Sequence, residues 1–256
     1  NDTLDYKHWS SYTGSVYGPD FEEMPYAPYD FIPHDWERIA NWYTGGKMFE
    51  RDGKEYFVCT YQRVLDLYML WSSLNLYNVT DQRWEYSQKE LLPPHNRNNA
   101  VGFPQIENDI VVTAIGNHIC ANDLMTGDSL WTFDTKGNMV FGGFLVHHGC
   151  VYAQSEVQGL YCIDLQTGEQ KWKMWHYALG TTSQMAHLNG VIYFTNGGNG
   201  NLMAVDMETG DLLWDIDSPD RESFNREVAV YEGGPGEKNM VVTSTYQSAV
   251  AYEAVR

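Results

Sequence analysis

The sequence lacks several features that would narrow its function at once. No apolar run approaches the roughly 18 residues of a membrane-crossing helix, and no basic-then-apolar leader opens the chain. Basic residues are scarce, 16 Lys and Arg against 34 Asp and Glu, for a formal net charge of -18. Such a surface repels phosphate backbones and anionic bilayers, which argues against a nucleic-acid partner. The four cysteines, Cys59, Cys120, Cys150 and Cys162, show no CxxC spacing. With no paired histidines at ligand distance either, no metal site is expected. The glycine-rich "TNGGNGN" at 195 to 201 lacks the Lys-Ser/Thr of a phosphate loop and reads as a turn. "DMETGDLLWD" lacks the alternating ligands and closing glutamate of an EF-hand.

What the sequence does have is hydrophobic content, 43% over 256 residues, enough to bury a large core. It also has a repeat. "DLMTGDSLW" (123 to 131), "DLQTGEQKW" (164 to 172) and "DMETGDLLW" (206 to 214) place Trp131, Trp172 and Trp214 at intervals of 41 and 42 residues. Ahead of each lie short β-branched and aromatic runs with period-two alternation, broken by Asn, Gly and His turns. That pattern predicts four strands per copy, here called a to d.

Four-stranded antiparallel units of this length predict an all-β chain, a β-propeller forming one domain over 1–256. The blades are expected at about 44–86, 100–134, 140–176, 183–217 and 225–256. The first is degenerate, with an Asp52-Gly53 turn, an insertion around "QRVLDLYMLWSS" and a tryptophan at Trp84. The last stops one strand short. Because an unclosed propeller exposes edges, residues 5–12, "DYKHWSSY", are expected to supply the missing strand. Residues 13–43, with four of the nine prolines, form a surface arm. Five blades result, or six if the arm hides another copy.

The recurring residues have structural tasks. Asp123, Asp164 and Asp206 can accept amides of the turns that follow them. Gly127, Gly168 and Gly210 supply the positive φ of a tight turn. Each tryptophan is large enough to fill the wedge between blades, with an indole N–H for a neighbouring carbonyl. Equivalent carboxylates near the rim of a radial array do not converge, so these are not a catalytic set. His147 and His148 read as a surface pair beside a turn. If Val151 to Gln154 and Leu160 to Asp164 form a hairpin, Cys150 and Cys162 fall nearly opposite, which leaves a cross-strand disulfide open.

"CANDLMTGDSLW", "YCIDLQTGEQKW" and "MAVDMETGDLLW" resemble the tryptophan-docking repeats of the PQQ-like β-propeller superfamily, clearly over about 100 to 256 and weakly over 44 to 86. That superfamily includes quinoprotein alcohol dehydrogenases and BamB-like assembly lipoproteins. The resemblance implies the fold, but one blade type serves enzymes and scaffolds alike. A quinoprotein dehydrogenase would imply PQQ, calcium and a catalytic aspartate. The chain lacks an adjacent cysteine pair, a CxxCH and eight-blade length, so no cofactor is expected.

The candidate ligand-binding positions lie where repeats differ. Strand-a entrances and b-c loops contribute Lys47, Asn99, Gln154, Glu156, Gln184, Asn196, Asn225, Arg226 and Gln247; Trp42, Tyr43 and Tyr246 add aromatic faces, as do Trp175, His176 and Tyr177 in "MWHYALG". Only Glu156 among the axial positions is a carboxylate, whereas a glycosidase or lyase needs two. The expected function is therefore a non-catalytic binding or scaffold propeller that recognises a protein or glycan through aromatic and amide groups. A carbohydrate-active enzyme with an axial site is the alternative. The first residue is Asn1, not Met, which raises the expectation of an exported chain, secreted, periplasmic or at the cell surface.

Overall fold

The computed structural model describes residues 42–64, 69–96, 103–136, 140, 143–155, 158–175, 184–196, 200–219, 224 and 227–255. Among them there is no helix. Nineteen strands form five antiparallel sheets, four with four strands and the last with three. The first sheet holds β1 (Trp42–Arg51), β2 (Lys54–Val64), β3 (Met69–Asn78) and β4 (Arg83–Asn96), and the second β5 (Gln105–Glu107), β6 (Ile110–Ile115), β7 (His118–Asp123) and β8 (Ser129–Asp134). The third holds β9 (Phe144–His147), β10 (Cys150–Ser155), β11 (Gly159–Asp164) and β12 (Gln170–Met174), and the fourth β13 (Ala186–Leu188), β14 (Val191–Thr195), β15 (Leu202–Asp206) and β16 (Leu212–Ile216). The fifth has β17 (Ala229–Tyr231), β18 (Met240–Ser244) and β19 (Ala249–Glu253).

Strands in every sheet pair with their sequence neighbours, as the a-to-d reading requires. The stretch expected as an insertion in the first copy instead prolongs β2 and β3, which pair as far as Val64↔Leu70. The expected closing strand at 5–12 lies outside the described residues, as does the arm expected at 13–43 save for Trp42 and Tyr43, which begin β1 instead. The chain divides into two compact units, one of residues 1–113 and 120–130, the other of residues 114–119 and 131–256.

Burial explains the composition of each strand. β10, β14 and β15 are buried along their whole length, while the outer strands β12 and β16 alternate between exposed and half-buried. A middle strand covered on both faces must be apolar throughout, which is why "VIYFT" and "LMAVD" read as continuous runs. In the second unit, Tyr152, Leu160, Ile192, Phe194, Met203 and Val205 form a core shared by the third and fourth sheets. Leu188, Tyr193, Leu202, Phe224 and Val241 form a second core with the fifth. Each fully buried side chain of this size contributes about 1.5–3 kcal/mol.

The a-b hairpins of the third and fourth sheets are two-residue turns, with His147↔Cys150 and Leu188↔Val191 as their closing pairs. Their central residues take φ of 49° at Asn189, 76° at Gly190, 49° at His148 and 71° at Gly149. Positive φ at both positions matches the right-handed strand twist, so Asn-Gly and His-Gly suit the site.

The recurring Asp-x-x-Thr-Gly turn is closed from inside. Asp164 Oδ1 accepts the Gln166 and Thr167 amides at 2.9 and 3.0 Å, and Gly168 N–H donates to the Asp164 carbonyl at 2.9 Å. Asp123 and Asp206 repeat both features. Gly168 has φ of 73°, and a Cβ there would stand 2.7 Å from the Trp131 ring. Gly210 meets Trp172 in the same way, at 2.6 Å. The indoles also donate across to the next repeat, Trp131 Nε1 to Leu165 O at 2.9 Å and Trp172 Nε1 to Met207 O at 3.2 Å. Each glycine therefore serves two ends, the turn of its own repeat and a bare face for the tryptophan of the one before.

In the first unit the same task falls to Tyr86, not to the expected Trp84. Leu76 pairs with Tyr86 as Cys162 pairs with Trp172. The Tyr86 hydroxyl donates to Leu124 O at 3.1 Å, and its ring covers Gly127.

Candidate functional site

The turn ends of the third and fourth sheets enclose a cleft of about 490 Å³. The a-b turns supply His147, His148, Asn189 and Gly190, the c-d turn supplies Glu208, and the walls hold Cys150, Tyr152, Cys162, Lys171 and Trp172. All belong to the second unit. Its volume falls within the roughly 300–1,000 Å³ of small-molecule sites.

Two groups of side chains give the cleft its chemistry. Three imidazoles stack on one wall, His147 lying 3.9 Å from His148 and 3.7 Å from His187 between ring centroids. Burial, then the neighbouring His148, pushes the His187 pKa below its ordinary value. The sequence reading of His147 and His148 as a surface pair missed His187, because only the packing of β9 beside β13 brings it in.

The second group is a pair of thiols with a lysine. Lys171 Nζ donates to Cys150 Sγ at 3.2 Å and sits 3.0 Å from Asp164 Oδ2. The ion pair and the turn amides hold Asp164 below the usual carboxylate range, the lysine contributing most, and Lys171 is raised in turn. Burial, then the neighbouring Cys150, pushes the Cys162 thiol up to about 12. Burial also raises Tyr152, whose hydroxyl donates to Met207 O at 3.4 Å.

None of the four cysteines is joined in a disulfide. The register places Tyr152 opposite Cys162 and Asp164 opposite Cys150. The two thiols are thus diagonal neighbours on one face of the hairpin, two residues out of the direct pairing read from sequence. Among the described residues, no group of three His, Cys, Asp or Glu is placed to hold a metal ion.

The described sequence-derived candidates of the second unit lie at the opposite end of its sheets, and most of the others fall outside the described residues. Gln154 is fully buried near the end of β10, and neither atom of its amide has a hydrogen-bond partner. Asn196 is also fully buried, its backbone closing the loop to Gly200 and Asn201. Gln184 precedes β13 and is exposed. Tyr246, 74% exposed, and Gln247, whose amide donates to Thr245 Oγ1, form the b-c turn of the fifth sheet. Trp175, 67% exposed, follows β12. Lys47 lies exposed on β1 in the first unit. Trp42 and Tyr43 begin β1, but their side chains are outside those described, as are Asn99, Glu156, His176, Tyr177, Asn225 and Arg226.

With the sheets, the docking contacts and the turn geometry in place, the class of fold follows: it is similar to that of PQQ-like β-propellers. Residues 81–174 match the family model described as outer membrane protein assembly factor BamB. A comparison with curated proteins gives no match. The fold is similar to that of the computationally designed Ika8 protein, with a TM-score of 0.56 and 13% identity over 94% of this chain and 77% of that one. BamB from Moraxella catarrhalis superposes with a TM-score of 0.51 and 10% identity over 81% of this chain. Quinohemoprotein alcohol dehydrogenase ADHIIG from Pseudomonas putida HK5 gives 0.53 and 12% over 84%. The chain spans 60% of the BamB chain and 42% of the dehydrogenase. At these identities the likeness concerns the fold alone.

Proposed function

We propose that the protein is a non-catalytic, exported scaffold that binds another protein through the end of its sheets carrying the b-c turns. The observation that carries this reading is the exposure there of two large aromatics, Trp175 at 67% and Tyr246 at 74%, in the second unit. Such side chains supply contact area with little rotamer entropy to lose, which is why they anchor protein interfaces. The repeated carboxylates give no competing enzyme reading, since Asp123, Asp164 and Asp206 are each occupied by two turn amides. The match to the BamB family model is consistent with an assembly role and with export.

The test is site-directed photo-crosslinking in the native cell, with the reactive residue at Tyr246 or Trp175 and, as control, at Leu212, which is 45% exposed at the opposite end of the fourth sheet. A discrete protein adduct from the first two positions and not from the control is expected. Equal labelling at all three, or retention of a glycan without any protein adduct, overturns the reading.

A further inference from the structure

We propose that Cys150 and Cys162 form a thiol–disulfide exchange site, with the adjoining cleft admitting a low-molecular-weight disulfide and Lys171 activating Cys150 for attack. The site lies at the end of the sheets opposite the aromatic surface, and it stands independently of the binding reading.

Three observations carry the proposal. The thiols are diagonal neighbours on one face of the β10–β11 hairpin, and no bond joins them. A cation is already in place, with Lys171 Nζ 3.2 Å from Cys150 Sγ and held there from its other side by Asp164. Proximity of an ammonium favours thiolate over thiol, and the thiolate is the nucleophile. Finally, both cysteines line a cleft of about 490 Å³.

The two cysteines are not equivalent, and the difference sets the order of events. Cys150 is 8% exposed and touches the lysine, whereas Cys162 is 1% exposed. Burial keeps the Cys162 thiol protonated while Cys150 reacts. The Cys150 thiolate attacks one sulfur of the incoming disulfide, whose S–S bond breaks. One thiolate leaves and takes up the proton that Cys150 gave up. Cys162 then loses its proton and attacks Cys150 Sγ, expelling the second small thiolate, which takes that proton. The protein's two thiols are oxidised by two electrons to a Cys150–Cys162 disulfide, and the small disulfide is reduced to two thiols.

The experiment incubates the full chain with oxidised glutathione and reads intact mass and peptide maps. The wild type is expected to lose two hydrogens and retain no adduct, with Cys150 linked to Cys162. Cys162→Ser should trap one glutathionyl group on Cys150, and Cys150→Ser should stay unmodified. Cys59 and Cys120, 0% and 1% exposed, serve as internal controls. Lys171→Met should slow adduct formation on Cys150 in the Cys162→Ser background roughly tenfold. Circular dichroism confirms that each variant is folded. No reaction, a stable adduct on the wild type, or modification of Cys59 or Cys120 in preference overturns the site. An unchanged rate in Lys171→Met overturns the activation of Cys150 by the lysine.

Discussion

Replacing Gly168 by alanine isolates the docking contact from the turn that contains it. Gly168 and Gly149 belong to the same sheet, and their φ values, 73° and 71°, are nearly equal. A Cβ at Gly149 meets nothing within 4 Å, whereas at Gly168 it stands 2.7 Å from Trp131 Cγ and Cδ2 and 3.0 Å from Trp131 Cβ. Both alanines incur the left-handed backbone penalty of about 1–2 kcal/mol. Only the second must also displace a tryptophan by its root, which a flexible tip cannot absorb. That displacement loses the indole hydrogen bond to Leu165, worth about 1 kcal/mol, and part of the packing of a half-buried ring, about 1 kcal/mol more. Gly168→Ala should therefore destabilise by about 3–4 kcal/mol and Gly149→Ala by about 1–2 kcal/mol. Urea unfolding followed by circular dichroism measures both, with the m-value checked for constancy. If the two variants fall within about 0.5 kcal/mol of one another, a difference below the docking contribution estimated here, the glycine is not a docking platform.

Trp172→Ala should lower stability by about 2–4 kcal/mol, less than for a fully buried indole because the ring is half-exposed; urea unfolding gives the value. Tyr86→Phe should cost about 1 kcal/mol through the lost bond to Leu124, whereas Trp84→Phe should leave that contact intact, as a double-mutant cycle with Gly127→Ala would register. On the acid side, His187 binds its proton less readily folded than unfolded, so stability falls as pH drops below about 6.5, the ordinary histidine value, and His187→Gln should flatten that decline in thermal scans. Asp164, held below its ordinary value by Lys171, contributes stability that is present above about pH 4 and lost as pH falls through its folded pKa. Asp164→Asn should remove this second step.

Sheet composition and repeat period were legible because they follow from local chemistry. A strand covered on both faces must be apolar throughout, a two-residue turn needs positive φ, and an aspartate before such a turn has amides within its own reach. "DLQTGEQKW" carries all of this within nine residues, so strands, turns and the structural role of Asp164 could be read directly. Tyr86 could not, because the docking position, ten residues after Leu76 as Trp172 is after Cys162, carries a tyrosine there, and the nearby Trp84 stands where Gln170 stands in the third sheet. The cleft was equally hidden. Its members come from 147–150, 162, 171–172, 187–190 and 207–208, and no spacing along the chain marks them as neighbours.

The amino-acid sequence by itself determined the repeating unit, its turns and the docking tryptophans of the clear copies, since each depends on atoms a few positions apart or on one periodic contact. Tertiary structure alone decided which side chains share a cleft, that Cys150 and Cys162 are diagonal and free, and that Lys171 stands against Cys150. The physical reason is that hairpin register and sheet packing set those distances, and a slip of two residues in either would separate the same groups without changing the pattern that encodes the fold.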